Sequence, residues 1–200
     1  MERDEIYKYK YFPDQFAALL SYYEAKKSVK NHFAHTSTLS LKKDHQGRPS
    51  LEGWSGDISL SHTEGCILIG AVNQGKIGVD IQRIESINDG VENFFLSKRE
   101  RDYLYSLPSE DKQKYLFTIW TLKEALLKWQ GSGFLVKSPI DISLSLNHAF
   151  KEVLAIEGME QIQVKFKLFT LFNRYQAAIC YNDLEGVAGI STFEDDCRFT

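Results

Sequence analysis

The feature that most constrains the fold is a periodic apolar run that ends at a pair of glycines. Large apolar side chains recur at spacings of four, three, four and three, as on one face of a helix, at Tyr115, Ile119, Leu122, Leu126 and Trp129. Gly131 and Gly133 then end the pattern, since glycine favours the end of a helix. Glu124 and Lys128 lie one turn apart on a different face. The run predicts a long core helix that carries an acid and a base beside its apolar stripe.

Composition indicates a folded domain without a marked charge. Of the 200 residues, 43% are hydrophobic and 13% aromatic, which is enough for a sizeable core, and the net charge of -3 gives no reason to expect nucleic acid or a membrane as a partner. Cys66, Cys180 and Cys197 lack CxxC spacing, so we expect reduced thiols and no zinc site. No stretch has the apolar character of a signal peptide or a bilayer span. We therefore expect a cytoplasmic protein.

The predicted elements follow the order helix, strands, helices, strands. Helices are predicted at 14–32, 97–107 and 109–131, and strands at 38–42, 58–62, 66–72, 77–81, 140–146, 162–170, 175–181 and 187–193. Residues 73–76 form a tight turn, which predicts that the strands on either side of it pair as a hairpin. This order predicts an α+β protein with two lobes, residues 1–86 and 87–200.

Local signals mark the helices. Ser97 and Glu100 have the spacing of a capping box, Pro108 ends the helix that follows them, and Ser109 can cap the next one. In the first helix the apolar side is marked by Phe16, Leu19, Leu20 and Tyr23.

The strand at 77–81 has one apolar and one polar face. Alternation places Ile77, Val79 and Ile81 on one side and Gly78, Asp80 and Gln82 on the other. An aspartate within a β-branched run is disfavoured unless a partner holds it, so Asp80 is either a solvent-facing edge residue or part of a site. Glu124 and Lys128 leave a similar choice, because an i,i+4 ion pair contributing about 0.2–0.5 kcal/mol explains them as well as catalysis does.

Three other segments have ordinary structural explanations. Glu100 is first a cap partner, His62 fits a hydrogen-bonded histidine at a strand end, and residues 47–49 fit a turn. Each signal is weak alone, but their order along the chain is specific.

Taken in order, these segments resemble a known family. Gly78-Val-Asp-Ile-Gln82 is similar to a GxDxE signature, and Trp120-Thr-Leu-Lys-Glu-Ala-Leu-Leu-Lys128 to a WxxKEAxxK signature. Ser61-His-Thr63, Gly47-Arg-Pro49 and Phe94-Phe-Leu-Ser-Lys-Arg-Glu100 resemble its Ser-His-Ser, Gly-Lys-Pro and F-(x)-S-x-x-E segments. The family is that of the 4′-phosphopantetheinyl transferases, in the long two-lobed type that activates nonribosomal peptide and polyketide synthases. The resemblance covers about residues 14–146.

The resemblance implies a fold and a reaction. The fold is a pseudo-dimer of two similar α/β lobes, with coenzyme A and Mg²⁺ in the cleft between them. The enzyme transfers the 4′-phosphopantetheine arm to a serine of an apo acyl or peptidyl carrier protein and releases adenosine 3′,5′-bisphosphate. The implied metal ligands are Asp80, Glu124 and Gln82, and the implied nucleotide contacts are Arg48, Ser61, His62 and Lys128. Lys128 would neutralise or protonate the departing phosphate, and either Glu100 or a water on the metal would take the serine proton.

Two departures from the family pattern matter. The third metal position carries Gln82 in place of the usual glutamate, so we expect a site with one negative charge fewer and a weaker grip on the metal. A first-helix arginine that contacts the 3′-phosphate in the family aligns near Ala17, and Lys8, Lys10 or Lys26 could take its place.

These departures leave more than one hypothesis open. The first is an active transferase; the alternative is a non-catalytic coenzyme A- or carrier-binding protein of the same fold, with a plain α+β interaction domain as the minimum. We expect a monomer, because both lobes belong to one chain. Carrier proteins are typically acidic, so the lysines at 26–30 or at 112 and 114 are either a docking site or ordinary solvated residues.

Overall fold

A computed structural model describes residues 6–86, 90–131, 138–159, 162–182 and the backbone of 187–194. The helices are α1 (Phe12–His32), α2 (Lys98–Ser106) and α3 (Ser109–Gln130). The strands are β1 (Ser40–Lys43), β2 (Pro49–Glu52), β3 (Asp57–Thr63), β4 (Cys66–Val72), β5 (Ile77–Arg83), β6 (Ser143–Leu146), β7 (Val153–Glu157), β8 (Lys165–Leu171), β9 (Tyr175–Tyr181) and β10 (Val187–Glu194). Short 3₁₀ turns cover Val91–Phe94 and Pro139–Asp141.

The same succession of elements occurs twice. A helix, a two-stranded ribbon, a hairpin and a further strand form the first series, from α1 to β5. The second series, from α3 to β10, repeats this order, and α2 precedes it. The helix α1 packs on β3, β4 and β10, and α3 packs on β5 and β9. The prediction of an α+β fold with two similar halves is confirmed.

The last strand of each series crosses to the other sheet. The sheets have the orders β10-β4-β3 and β5-β9-β8, with β5 antiparallel to β9 and β10 antiparallel to β4. The predicted hairpin between β4 and β5 is therefore wrong, because β5 turns away from β4 after the turn at 73–76. Strand pairing crosses the predicted boundary at residue 86 twice, and the division into 1–86 and 87–200 stays a prediction.

Side chains of β3 explain why β5 does not pair with β4. Every second side chain of β3 accepts a hydrogen bond from a backbone N–H of β5. The donor–acceptor pairs are Ile77 to Asp57 (2.8 Å), Val79 to Ser59 (3.0 Å), Ile81 to Ser61 (3.3 Å) and Arg83 to Thr63 (3.4 Å). These contacts give an acceptor to the backbone N–H groups on the edge of β5 that faces away from β9, so these N–H groups need no backbone partner there. We call this set of contacts the β3–β5 ladder.

The first helix packs on its sheet through a different face from the one that the large side chains mark. Phe16, Leu19 and Tyr23 are exposed, whereas Ala18, Tyr22, Ala25 and Val29 are buried. The predicted apolar side is therefore wrong for Phe16, Leu19 and Tyr23, and the prediction missed Ala18, Tyr22 and Ala25. The helix lies close to the sheet because alanine allows a short distance between backbones.

The helices of the second series agree closely with the sequence. Ser97 and Glu100 form the predicted capping box, and α2 ends before Pro108. The next helix has Pro108 as its N-cap and Ser109 as its first residue, so Ser109 does not cap it. The apolar stripe of α3 is buried, at Tyr115, Ile119, Leu122 and Leu126.

The sequence patterns did not predict β2 and β7, and the start of the strand predicted at 140–146 is a 3₁₀ turn. Cys66 and Cys180 are buried, and Cys180 is a free thiol. Cys197 and Gly133 lie outside the described residues. In the described part of the chain, no helix has the length and apolar character required to cross a bilayer.

Candidate active site

Asp80 is the centre of a polar cluster on the inner face of β5. Its side chain is buried, with 1% of the residue exposed. Oδ1 accepts hydrogen bonds from Ser61 Oγ at 2.7 Å and from Lys128 Nζ at 2.7 Å. Oδ2 accepts a hydrogen bond from Gln82 Nε2 at 2.9 Å. Of the two alternatives for Asp80, the solvent-facing edge residue is wrong, because the carboxylate is buried and three residues of the predicted site donate to it.

Gly78 brings α3 close enough to β5 for this cluster to form. A Cβ atom at Gly78 would lie 2.0 Å from the carbonyl oxygen of Ala125 and 2.3 Å from the backbone nitrogen of Trp129. Only a glycine allows the helix backbone to lie directly on the strand at this point. Asp80 follows two residues later on the same face of β5, so it meets Lys128, which lies about one turn after Ala125 on α3.

Glu124 is the second carboxylate of the cluster. Its pKa is raised to about 7, mainly by burial and also by the negative charge of Asp80, and Lys128 opposes both effects. Within the described residues, the structure shows no hydrogen bond to the Glu124 side chain. The carboxylates of Asp80 on β5 and Glu124 on α3 are therefore close enough to interact electrostatically, and among the described contacts only Asp80 has protein donors.

Lys128 forms its ion pair across the cleft and not along its own helix. Its Nζ contacts Asp80 Oδ1, as described above, and donates to Ser61 Oγ at 3.0 Å. The default i,i+4 pair with Glu124 is absent from the described ion pairs. The side chain of Lys128 keeps 29% exposure, so the ammonium group remains accessible from the cleft.

His62 lies next to the cluster but leaves β3 on the side opposite Ser61, because successive side chains of a strand alternate. Its ring is half-buried and meets the Tyr9 ring edge-on, with 6.5 Å between the ring centroids. Burial lowers the pKa of His62, and the cations of Lys128 and Lys43 also lower it. The negative charges of Asp14 and Asp80 oppose this effect, and the net lowering of the pKa favours the neutral ring.

Arg48 contacts the end of α3 and is already paired with protein groups. Its guanidinium donates to the carbonyl oxygen of Lys128 and to the Asp57 carboxylate, which also accepts from the N–H of Ile77. The role predicted for Arg48, a contact to nucleotide phosphate, stays a prediction. The described geometry gives it a second role, which is to tie the turn at 46–49 to the end of α3.

Glu100 lies in a separate buried cluster. It is 1% exposed, and its carboxylate accepts hydrogen bonds from the backbone N–H groups of Ser97 and Leu144 and from Lys123 Nζ at 2.5 Å. Lys123 Nζ also lies near the carbonyl oxygens of Phe95 (2.8 Å), Pro139 (2.9 Å) and Ile142 (2.7 Å). None of the described contacts of Glu100 involves the Asp80 cluster. This geometry favours a structural role over the predicted role as a base.

A cleft opens beside the Asp80 cluster. Its volume is about 160 Å³, and it lies between the turn at 46–49, the middle of β3 and the end of α3. Arg48 and Lys128 give the cleft two cationic side chains, and Ser59 adds a hydroxyl group. The cleft therefore presents positive charge and a hydroxyl to a ligand at the same end of α3 that carries Lys128.

Some residues near the site were missed in the sequence. Lys43 Nζ lies 5.8 Å from the centroid of the Tyr9 ring and 5.7 Å from that of Tyr22, close enough to His62 to affect its pKa. No spacing in the sequence marks Lys43. The role of Asp57 was also missed, although a polar residue at the start of an alternating strand was a usable signal.

The donor set of the Asp80 cluster fits a hard divalent cation. Asp80 on β5 and Glu124 on α3 can each supply carboxylate oxygens as ligands. The ammonium group of Lys128 is paired with the Asp80 carboxylate and balances its charge. Mg²⁺ is commonly held by one or two carboxylates with phosphate oxygens and water. Among the described residues, no group of three or more His, Cys, Asp or Glu side chains is arranged to hold a metal. A fit to Mg²⁺ thus relies on two carboxylates.

Comparison with known proteins identifies the family. The profile of the 4′-phosphopantetheinyl transferase superfamily matches residues 76–180, just over half of the chain, including β5 and α3. The chain belongs to this superfamily. The resemblance inferred from the sequence motifs is thereby confirmed. The matched region includes Asp80, Gln82, Glu100, Glu124 and Lys128, whereas Arg48, Ser61 and His62 precede it.

Individual relatives agree with this assignment. The 4′-phosphopantetheinyl transferase psf-1 of Bacillus pumilus is 30% identical over 130 residues, which cover 62% of this chain and 52% of psf-1. The 4′-phosphopantetheinyl transferase HetI of Nostoc is 36% identical over 90 residues, covering 44% of this chain and 38% of HetI. The chain thus spans about half the length of psf-1 and less than half that of HetI.

A solved structure is also similar to the chain. The holo-(acyl-carrier-protein) synthase of Bacillus anthracis, in complex with CoA (3′,5′-ADP), has a TM-score of 0.46 and 19% identity, covering 57% of this chain and 96% of the synthase.

Proposed function

We propose that this protein transfers the 4′-phosphopantetheine arm of coenzyme A to a serine of an apo acyl or peptidyl carrier protein, with release of adenosine 3′,5′-bisphosphate. The observation that carries the proposal is that Asp80 interacts with both Glu124 and Lys128, and that Lys128 also lines the adjacent cleft. Membership of the superfamily and relatives that are named 4′-phosphopantetheinyl transferases support it.

We assign Lys128 the role of a phosphate partner. Phosphoryl transfer depends on charge neutralisation and in-line positioning more than on covalent chemistry. The ammonium group is held by Asp80 Oδ1 and Ser61 Oγ at the edge of the cleft, so it needs only a small side-chain movement to contact a phosphate. From Nζ it can donate a proton to the oxygen of the departing nucleotide phosphate.

Asp80 and Glu124 are the residues that would hold Mg²⁺. When bound, the metal supplies charge neutralisation and orientation for the pyrophosphate of coenzyme A. Asp80 is ordered for this role by Ser61, and Glu124 has no competing donor among the described residues. Burial and the neighbouring Asp80 already disfavour the charged form of Glu124, so a cation between the two carboxylates would be strongly favourable.

The phosphate-side contacts extend from the cleft towards the N-terminal half. His62 and Lys43 add polar and cationic groups beside Tyr9, in the region where the family pattern would have an arginine on the first helix. We propose that Lys43 takes part in neutralising the 3′-phosphate, in addition to the lysines expected from the sequence. Arg48 would contribute through its position in the cleft wall.

The partner, the oligomeric state and the compartment belong to the same proposal. A carrier protein delivers a serine hydroxyl group, and coenzyme A delivers the phosphopantetheine arm. Both halves of the cleft come from one chain, which favours a monomer, and the charge pattern favours neither nucleic acid nor a membrane as partner. The buried free thiol of Cys180 is consistent with the cytoplasm.

The test is direct. The protein is incubated with coenzyme A, Mg²⁺ and an apo carrier protein, and the intact mass of the carrier is measured. We expect the mass of the carrier to rise by one phosphopantetheine arm, and we expect EDTA to prevent this gain. A carrier whose acceptor serine is replaced by alanine serves as the matched control. Failure to modify any of several acyl and peptidyl carriers would contradict the proposal.

A second candidate function is supported by the ion pair between Lys128 and Asp80. Lys128 and Gln82 both donate hydrogen bonds to the Asp80 carboxylate, and Gln82 carries no charge. The cluster is therefore also compatible with a protein of this fold that binds coenzyme A or a carrier without turnover. Isothermal titration with coenzyme A distinguishes the two functions when it is combined with the labelling assay. Binding without labelling supports the second candidate, and labelling excludes it.

A further inference from the structure

Gln82 has a defined contact within the cluster. It lies two residues after Asp80 on β5, so both side chains leave the same face of the strand. Its Nε2 donates to Asp80 Oδ2, the carboxylate oxygen that neither Ser61 nor Lys128 contacts. A carboxamide donates through its nitrogen and accepts through its oxygen, so this bond commits the donor end of Gln82 to Asp80. Asp80 thus has a donor on each of its oxygens.

We infer that Gln82 is a positioning residue that fixes the Asp80 carboxylate, and that it is not a third metal ligand. The inference rests on the proposed function, because it assigns a role within the same site. Asp80 is 1% exposed, so protein donors and not bulk water set its orientation. Partners that hydrogen-bond to metal ligands fix the orientation of those ligands, and their loss typically weakens metal binding about 10- to 100-fold.

The charges of the cluster favour an amide at this position. Asp80 and Glu124 contribute two carboxylates, and Lys128 contributes one ammonium group. A glutamate at position 82 would bring a third carboxylate against Asp80 and would offer no N–H to Oδ2. Gln82 satisfies that oxygen without adding charge, so the departure from the family pattern has a positive structural role.

Metal affinity tests this inference. The dissociation constant for Mn²⁺ is measured on the full-length protein by electron paramagnetic resonance of the free ion, for the wild type, Gln82→Met and Gln82→Glu. We expect both variants to bind Mn²⁺ about 10-fold more weakly or worse, because neither side chain donates to Asp80. Tighter binding by Gln82→Glu than by the wild type would overturn the inference, since it would place residue 82 on the metal.

A second readout needs neither metal nor coenzyme A. The side-chain amide resonances of the glutamines are compared by NMR between the wild type and Asp80→Asn. We expect the Gln82 signal to shift, whereas that of Gln113, which donates to the carbonyl oxygen of Glu85, stays in place. An unshifted Gln82 signal would overturn the positioning role. A wild type that binds no Mn²⁺ and labels no carrier would instead count against the proposed function.

Discussion

Lys123 and Glu124 are consecutive residues of α3 with opposite environments. Lys123 is 1% exposed and is surrounded by Glu100 and three carbonyl oxygens, whereas Glu124 faces Asp80 in the cleft. Successive residues of a helix point about 100° apart, so adjacent positions reach different surroundings. Lys123 therefore stabilises the packing of the second half, and Glu124 belongs to the proposed active site.

Replacing Lys123 is expected to destabilise the protein strongly. In Lys123→Met, Glu100 loses its ion-pair partner and remains buried, which typically costs about 3–5 kcal/mol. The free energy of unfolding is measured in urea. The matched control is Lys98→Met, because Lys98 forms an exposed ion pair with Asp102 and its loss should cost about 0.5 kcal/mol or less. Equal stability of the two variants would show that Lys123 does not hold this cluster together.

Glu100→Gln separates a structural role from a catalytic one. We expect the free energy of unfolding to fall, because the ion pair with Lys123 is lost. We expect the labelling rate per folded molecule to stay close to that of the wild type. A general base contributes about 100-fold or more. A rate loss of that size at unchanged stability would therefore establish Glu100 as the base.

His62 makes stability depend on pH. Its folded-state pKa lies below the ordinary value of 6.5, mainly because of burial, so the unfolded chain takes up the proton first. Stability from the neutral ring is fully present above pH 6.5 and is lost as the pH falls through 6.5 towards the folded pKa. We expect His62→Gln to lose less stability than the wild type between about pH 8 and about pH 5. Urea unfolding across this range measures the free energy of unfolding of both proteins, and the variant His148→Gln, at an exposed histidine, is the control. The same pH dependence in His62→Gln and in the wild type would contradict this role of His62.

At the scale of elements, the β3–β5 ladder places the site. It replaces a backbone ladder with side-chain acceptors on alternate residues of β3. Ser61 is both a member of the ladder and a donor to Asp80, so the contact that positions β5 also orders its carboxylate. The polar face of β3 therefore determines where the Asp80 cluster lies.

Ser59→Ala tests the ladder without touching the Asp80 cluster. The substitution leaves the buried N–H of Val79 without its acceptor, which should cost about 1–3 kcal/mol. We expect faster hydrogen exchange at Val79 as well as a lower free energy of unfolding. The control is Ser50→Ala on the exposed side of β2, where the change should stay within about 0.5 kcal/mol. Unchanged exchange at Val79 would contradict the ladder.

At the scale of the whole molecule, each half depends on the other. The strand β5 completes the sheet of the second half, and β10 completes the sheet of the first half. We expect separately produced fragments 1–86 and 87–200 to lack a cooperative thermal transition alone and to regain one after mixing. Circular dichroism melts measure this. Two fragments that each unfold cooperatively on their own would show that the lobes are independent domains.

Much of the architecture was predictable from local patterns. The stripe of α3, the two faces of β5 and the capping box at Ser97 depend on residues close in sequence, and all three are present in the structure. The site residues on β5 and α3 followed from the same patterns, together with the resemblance to the family.

The remaining features depend on contacts between distant residues. The crossing of β5 to β9 depends on side chains of β3 twenty residues earlier, which no local hairpin signal includes. The buried face of α1 is set by the sheet beneath it, which accepts Ala18 and Ala25 more closely than Phe16. The capping role of Glu100 was predictable, because Ser97 is only three residues away. Its buried ion pair was not, because the partner Lys123 lies 23 positions further along the chain.

The most direct test of the central claim is the initial rate of carrier labelling by Glu124→Gln. Its matched control is Glu110→Gln, the same change at an exposed position in the first turn of the same helix. The account predicts a loss of about 100-fold or more for Glu124→Gln, since a metal ligand supports several kcal/mol of transition-state stabilisation. It predicts a rate near that of the wild type for Glu110→Gln. A Glu124→Gln variant that labels the carrier as fast as Glu110→Gln would contradict the proposed site.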